Sequence, residues 1–110
     1  MDELRTVARP YAKAVFELAA SSGTLTEWSE FLKECSELLN NNEIKALIKA
    51  PGQSKKKVAE VFCECVNLRG EVHHSNQKQF LNLIQILSGN GRLNILNELN
   101  KQYNQKKREA

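Results

Sequence analysis

Thr24-Leu25-Thr26-Glu27-Trp28-Ser29-Glu30-Phe31-Leu32-Lys33-Glu34-Cys35-Ser36-Glu37-Leu38-Leu39 is the stretch on which the fold turns. Trp28, Phe31, Leu32, Cys35, Leu38 and Leu39 recur at i, i+3, i+4 and i+7, the spacing that lines one side of an α-helix. Glu27, Glu30, Lys33, Glu34 and Glu37 take the other side and keep it wet. Either Thr24 or Thr26 can supply an N-cap hydroxyl, and Asn40-Asn41-Asn42 ends the run. A helix with one narrow apolar stripe needs other elements to cover it.

Five further segments carry the same period. Ahead of this helix, a first runs from about Thr6 to Ser21, with Thr6 as its N-cap, Pro10 near its first turn and Gly23 just past its end. Behind it, a short third covers about Glu43 to Lys49, with Ile44, Leu47 and Ile48, and stops at Ala50-Pro51-Gly52. Ser54 caps a fourth that reaches about Leu68 and carries Val58, Val61, Phe62, Cys65 and Val66. After a polar loop through Ser75, a fifth covers about Asn76 to Ser88 and ends at Gly89-Asn90-Gly91. The sixth starts near Arg92 with Leu93, Ile95, Leu96, Leu99 and Tyr103, and residues 106–110 read as a frayed charged tail. No alternating strand pattern competes. The expectation is an all-α compact six-helix bundle, a single domain over residues 1–105.

The chain has 110 residues, 41% of them hydrophobic and 26% charged, which suits one globular core and not a disordered segment. Sixteen basic residues against thirteen acidic ones give a net charge of +3, too mild for a nucleic-acid footprint. No run of eighteen apolar residues is present to span a membrane. Arg9, Lys13 and Glu17 interrupt any secretory h-region, while Asp2 and Glu3 argue against a mitochondrial transit peptide. Three cysteines, Cys35, Cys63 and Cys65, cannot all pair, and a sparse, odd set suits a reducing compartment. A cytoplasmic protein is the default expectation.

Catalytic constellations are missing. Cys63 and Cys65 diverge on a helix, and with His73 and His74 they do not have the spacing of a zinc site. No nucleophile stands in a pattern with either histidine, and Gly89-Asn90-Gly91 is too short for a phosphate-binding loop. No metal, nucleotide or other cofactor is expected. Lys55-Lys56-Lys57 sits at a helix N-terminus, where the macrodipole disfavours cations, and reads as a solvated face.

Two helices carry more apolar surface than a core requires. At 100° per residue the apolar arc of the first spans roughly 200° and that of the fifth roughly 220°, against the ~100° that one-sided packing uses. Either both helices are central and covered on two sides, or their spare faces form a groove for a partner's amphipathic helix.

The stretch Thr6-Val7-Ala8-Arg9-Pro10-Tyr11-Ala12-Lys13-Ala14-Val15-Phe16-Glu17-Leu18-Ala19 closely resembles the opening of the delta subunit of bacterial F-type ATP synthases, whose mitochondrial relative is the oligomycin-sensitivity-conferring protein. Trp28 and Asn90-Gly91-Arg92-Leu93-Asn94 continue the likeness in order. It covers essentially the whole chain, which reads as the N-terminal domain alone, without the family's C-terminal domain. The resemblance implies a non-catalytic stator component on the cytoplasmic face of the bacterial inner membrane, supporting proton-driven ATP synthesis. It implies that the N-terminal helix of an alpha subunit lies in a groove between the first and fifth helices. The peripheral stalk b subunit would be reached through the C-terminal domain. The residues expected to line the groove are Val7, Tyr11, Ala14, Val15 and Leu18 on the first helix, and Leu83, Ile86 and Leu87 on the fifth. Tyr11 offers ring area with a hydroxyl at the rim, Ala14 offers smallness, and Ile86 lies at the margin of its helix's arc. The alternative is a small helical nucleic-acid-binding domain that uses the ten basic residues of positions 55–110.

Overall fold

Among the described residues, periodicity becomes packing in six helices and one 3₁₀ turn. The computed structural model describes residues 3–52, 54–69 and 77–109. In order come α1 (Glu3–Ser22), α2 (Leu25–Leu39), α3 (Asn42–Lys49), α4 (Lys55–Arg69), α5 (Gln77–Gly89), a 3₁₀ turn (Leu93–Ile95) and α6 (Leu96–Glu109). No strand occurs among the described residues, and the fold is all-α. The loop expected after Arg69, with His73 and His74, lies outside the described residues.

α2 buries the whole stripe that its sequence announces: Trp28, Phe31, Leu32, Cys35, Leu38 and Leu39. Its aromatic rings reach across to α5. Phe31 stacks on Phe80 with centroids 4.1 Å apart and planes 5° from parallel. Trp28 meets Phe80 edge-on at 4.7 Å and Phe31 edge-on at 5.8 Å. Edge-on and stacked pairs each add about 0.5–1.5 kcal/mol beyond the area that they bury.

α6 packs against both α1 and α2. Tyr103 is fully buried there, its hydroxyl donating to the Leu25 carbonyl at 2.6 Å and its ring meeting Phe16 edge-on at 6.1 Å. Ser29 and Ser36 of α2 bond Asn104 and Asn97 of α6, so the two helices run antiparallel with polar ties at either end. α1 fully buries only small side chains, with Phe16 packed against the edge of the core. Ala8, Ala12, Val15 and Ala19 are buried at i, i+4, i+7 and i+11, which lets its backbone approach closely.

Turn chemistry closes the helices. Gly23 and Gly91 take left-handed φ values of 70° and 67°. The amide that follows each bonds five residues back, Thr24 to the Ala19 carbonyl at 2.9 Å and Arg92 to Leu87 at 2.7 Å. This is the Schellman pattern, which satisfies the last carbonyls of a helix. Ser54 caps α4 as expected, its hydroxyl accepting from the Lys57 amide at 3.0 Å. Asn41, within the run that ends α2, also starts α3, accepting from the Glu43 and Ile44 amides.

Several details depart from the sequence reading. α1 begins at Glu3 and not at Thr6, so Thr6 is no cap and Pro10 lies well inside the helix. Fully buried Ala8 and Ala12 hold the chain helical on either side of Pro10, and the Thr6 carbonyl that loses its donor lies on an exposed face. Thr24 occupies the N-cap position of α2 without a capping bond, and its hydroxyl pairs with Ser22 at 2.9 Å. The segment ahead of α6 is a 3₁₀ turn, because Arg92 directs its carbonyl to the Ile95 amide. Residues 106–109 are helical, with Lys106, Lys107 and Arg108 in the last turn, where the macrodipole favours cations. Lys55 is no idle cation at its own N-terminus. Its ammonium donates to the Gly89 carbonyl at the C-terminal end of α5, 3.2 Å away, and Ser88 donates back to the Lys55 carbonyl.

Tyr103 gives this packing a pH signature. Burial, with a smaller contribution from Glu27, pushes its phenol up to about 12 from an ordinary 10. The unfolded chain loses this proton first, so stability is complete below about pH 10 and falls as pH rises towards 12. Tyr103→Phe should flatten that alkaline loss in thermal melts and cost about 0.5–1.5 kcal/mol at neutral pH, the net worth of the hydroxyl's bond to the Leu25 carbonyl, which keeps its helical partner.

Candidate partner-binding groove

The spare apolar arc of α1 resolves into two stripes. The alanine stripe faces the core. Val7, Tyr11, Ala14 and Leu18 repeat its i, i+4, i+7, i+11 spacing about 100° further round, at the surface. Val7 and Tyr11 are half-buried, while Ala14 and Leu18 are exposed. On α5 the arc divides likewise: Phe80, Leu83, Ile84 and Leu87 turn inward, and Ile86 turns outward with 53% of its surface exposed.

α1 and α5 hardly approach each other directly. Between them lies a depression of ≈ 210 Å³, lined by Ala14, Val15 and Leu18 from α1 and by Gln79, Asn82, Leu83 and Ile86 from α5. Trp28 of α2 completes the lining from below, itself 1% exposed. Its indole N–H is buried with no hydrogen-bond partner, which costs about 1–3 kcal/mol. The ring's aromatic contacts and buried area offset that cost. Among the described residues the large exposed hydrophobics are Leu4, Leu18 and Ile86, and two of these three flank this one depression. Exposure gathered in this way marks an interaction site better than scattered apolar residues do.

Five of the eight expected groove residues therefore meet at one place: Ala14, Val15, Leu18, Leu83 and Ile86. Leu87 does not join them, because it is fully buried in the core and has no surface to offer. Val7 and Tyr11 extend the same stripe of α1 beyond the depression. The Tyr11 hydroxyl lies 3.4 Å from the Asn90 side-chain amide, which donates to it. The bond ties α1 to the Asn90-Gly91 turn. Gln79, Asn82 and Trp28 escaped the sequence reading. Polar residues carry no periodic signal, and Trp28 reads as core whether or not a groove lies above it.

The rim is polar and uncharged, since Gln79 and Asn82 supply amides and no ionisable side chain belongs to the lining. A larger recess of ≈ 540 Å³ between α4 and α5 is mixed, with Val61 and Leu81 among Lys57, Glu60, Glu64 and Lys78. No large exposed hydrophobic stands there. Among the described residues no group of three His, Cys, Asp or Glu side chains could hold a metal. Burial pushes the Cys63 thiol up to about 12, and it raises buried Cys35 well above its ordinary value, with Cys63 and Glu34 adding to the rise. Neither is a thiolate at neutral pH, so neither serves as a nucleophile.

Residues 7–110 match the family model described as ATP synthase delta (OSCP) subunit. The chain is 38% identical over 108 residues to the ATP synthase subunit delta of Nitrosospira multiformis, covering 97% of this chain and 57% of that protein. It is 36% identical over 96 residues to the protein of that name from Aliivibrio fischeri strain MJ11, covering 87% and 50%. With the protein of that name from Nitrosomonas eutropha it shares 39% identity over 108 residues, covering 97% and 57%. The chain thus spans about half the length of these relatives.

The division between core and groove predicts opposite outcomes at neighbouring positions. Leu87→Ala should cost about 2–5 kcal/mol in urea unfolding, as buried leucines do. Ile86→Asp should shift stability by no more than about 0.5 kcal/mol. Unfolding of the Ile86 variant would move that residue into the core.

Proposed function

The chain belongs to the ATP synthase delta (OSCP) subunit family, and from that premise we propose that it is a non-catalytic stator module of an F-type ATP synthase. In this reading the α1–α5 groove holds the N-terminal helix of an alpha subunit on the catalytic head. A further domain of the family would carry the connection to the peripheral stalk b subunit. The module would thereby keep the head from turning with the rotor while proton flow drives ATP synthesis. It would work at the cytoplasmic face of a bacterial inner membrane, held there by the complex. None of its described helices is long and apolar enough to cross a membrane.

The observation that carries the proposal is the exposed pair Leu18 and Ile86 across a depression floored by Trp28. Its ≈ 210 Å³ falls below the ~300–1,000 Å³ of small-molecule sites and suits a few side chains from one face of a helix. A stator contact needs grip without chemistry. Apolar anchors at a desolvated centre, ringed by amides that meet the partner's polar edge, meet that need. Smallness at Ala14 lets a partner backbone come close. Raised thiol pKa values agree with a part that binds and does not react.

Calorimetry with a synthetic peptide from an alpha-subunit N-terminus tests the reading. Tyr11→Ala, on the flank of the groove, should weaken binding by about 1–3 kcal/mol. Ala14→Leu should block it, and Ile86→Asp should abolish it with the helical circular dichroism unchanged. Undiminished binding in both of the last two variants would put the peptide elsewhere and sink the groove assignment.

A further inference from the structure

On the side of α1 opposite the groove, the surface changes character. Arg5 and Arg9 lie one turn apart and, at 100° per residue, roughly 180° round from Ala14 and Leu18. Lys101 and Lys106 of α6 face them across a cleft of ≈ 400 Å³. None of these four cations makes an ion pair with the described residues. Two carboxylates, Glu98 and Glu109, share the cleft without neutralising it. Glu98 is occupied by the Gln102 amide at 3.2 Å, and that amide also donates to the Arg5 backbone carbonyl at 2.9 Å. Gln102 therefore acts as a strut that fixes the two helices, and the charges they carry, at a set separation.

We infer that this cleft is a second docking site, for an acidic peptide segment. Four like charges held close by two packed helices repel one another, and a ligand with carboxylates at intervals relieves that repulsion. Glu98 and Glu109 decide between the possible anions. They repel a continuous run of phosphates, yet they leave room for carboxylates spaced along a chain. The Gln105 side chain, also in the lining, offers an amide to a peptide backbone. Exposed ion pairs are individually weak and screened by salt, so the site adds selectivity and a second point of attachment more than affinity. Because it uses the far side of α1, it can be filled while the groove is filled, and it does not depend on what fills the groove.

The test is a titration of the uniformly ¹⁵N-labelled 110-residue chain with an end-blocked (Glu-Ala)₆ peptide, followed by amide chemical shifts. Shifts should concentrate in residues 5–9 and 98–109, and the apparent Kd should rise about tenfold between about 20 and 200 mM salt. Arg9→Glu combined with Lys101→Glu should raise Kd at least about tenfold at low salt, with the melting curve unchanged. If that double variant unfolds, Arg9→Gln and Lys101→Gln should each weaken binding about threefold. Ile86→Asp should leave the titration as it was. Shifts centred on the α1–α5 groove, or none at about 1 mM peptide, overturn the inference. So does an equal response to (Lys-Ala)₆. Inorganic pyrophosphate that binds the cleft and displaces the peptide would make it a phosphate site instead.

Discussion

Trp28 holds two structures apart and together at once. Its ring meets Phe80 of α5 edge-on at 4.7 Å, which ties α5 to α2, and its bulk lies where α1 and α5 would otherwise close on each other. The depression between the two helices opens over this side chain. A smaller residue would let the two helices collapse or leave a cavity, and either would change the surface above. Stacked Phe31 and Phe80 brace the ring from the core side, so the floor of the groove is continuous with the core packing.

α1 serves two masters by keeping small residues along its buried stripe, Phe16 on that stripe's far flank being the large one that meets the core. Its core stripe is alanine apart from Val15, so α6 and α2 can approach its backbone and bury the small side chains completely. Larger residues, Val7, Tyr11 and Leu18, stand on the adjoining stripe, where they are half-buried or exposed. A helix designed only for packing would place the large residues inside, where each buried leucine or valine contributes about 1.5–3 kcal/mol. Keeping them outside gives up that stabilisation. The proposed groove contact would give those outer residues their use.

Much of this was legible in the sequence because helix faces obey a period. The stripe of α2 appears in the structure residue for residue, and the excess arcs of α1 and α5 pointed to the helices that line the groove. What escaped was information that period does not carry. An arc shows that a helix has surplus apolar surface but not where core stops and surface begins, so Leu87 was placed with Ile86 although only the latter is exposed. Lys55 looked misplaced by its own helix dipole because its partner, the end of α5, lies 34 residues away in the chain. Pro10 suggested a late helix start, since local cost is visible in a sequence while the buried alanines that overrule it are a tertiary fact. Asn41 and the 3₁₀ turn at Leu93 belong to the fine structure of helix ends, where local hydrogen bonds choose among nearly equal geometries.

The bond from Gln102 to the Arg5 carbonyl spans 97 residues of sequence. α1 therefore finishes packing only when α6 arrives. Until then its alanine stripe has only the narrower cover that α2 and the 3₁₀ turn give it, beside an outer stripe that stays at the surface. Closing so long a loop costs entropy that only the completed α6 returns. Assembly is thus ordered by the chain itself: α1, one wall of the depression, takes its full packing only after α6 docks.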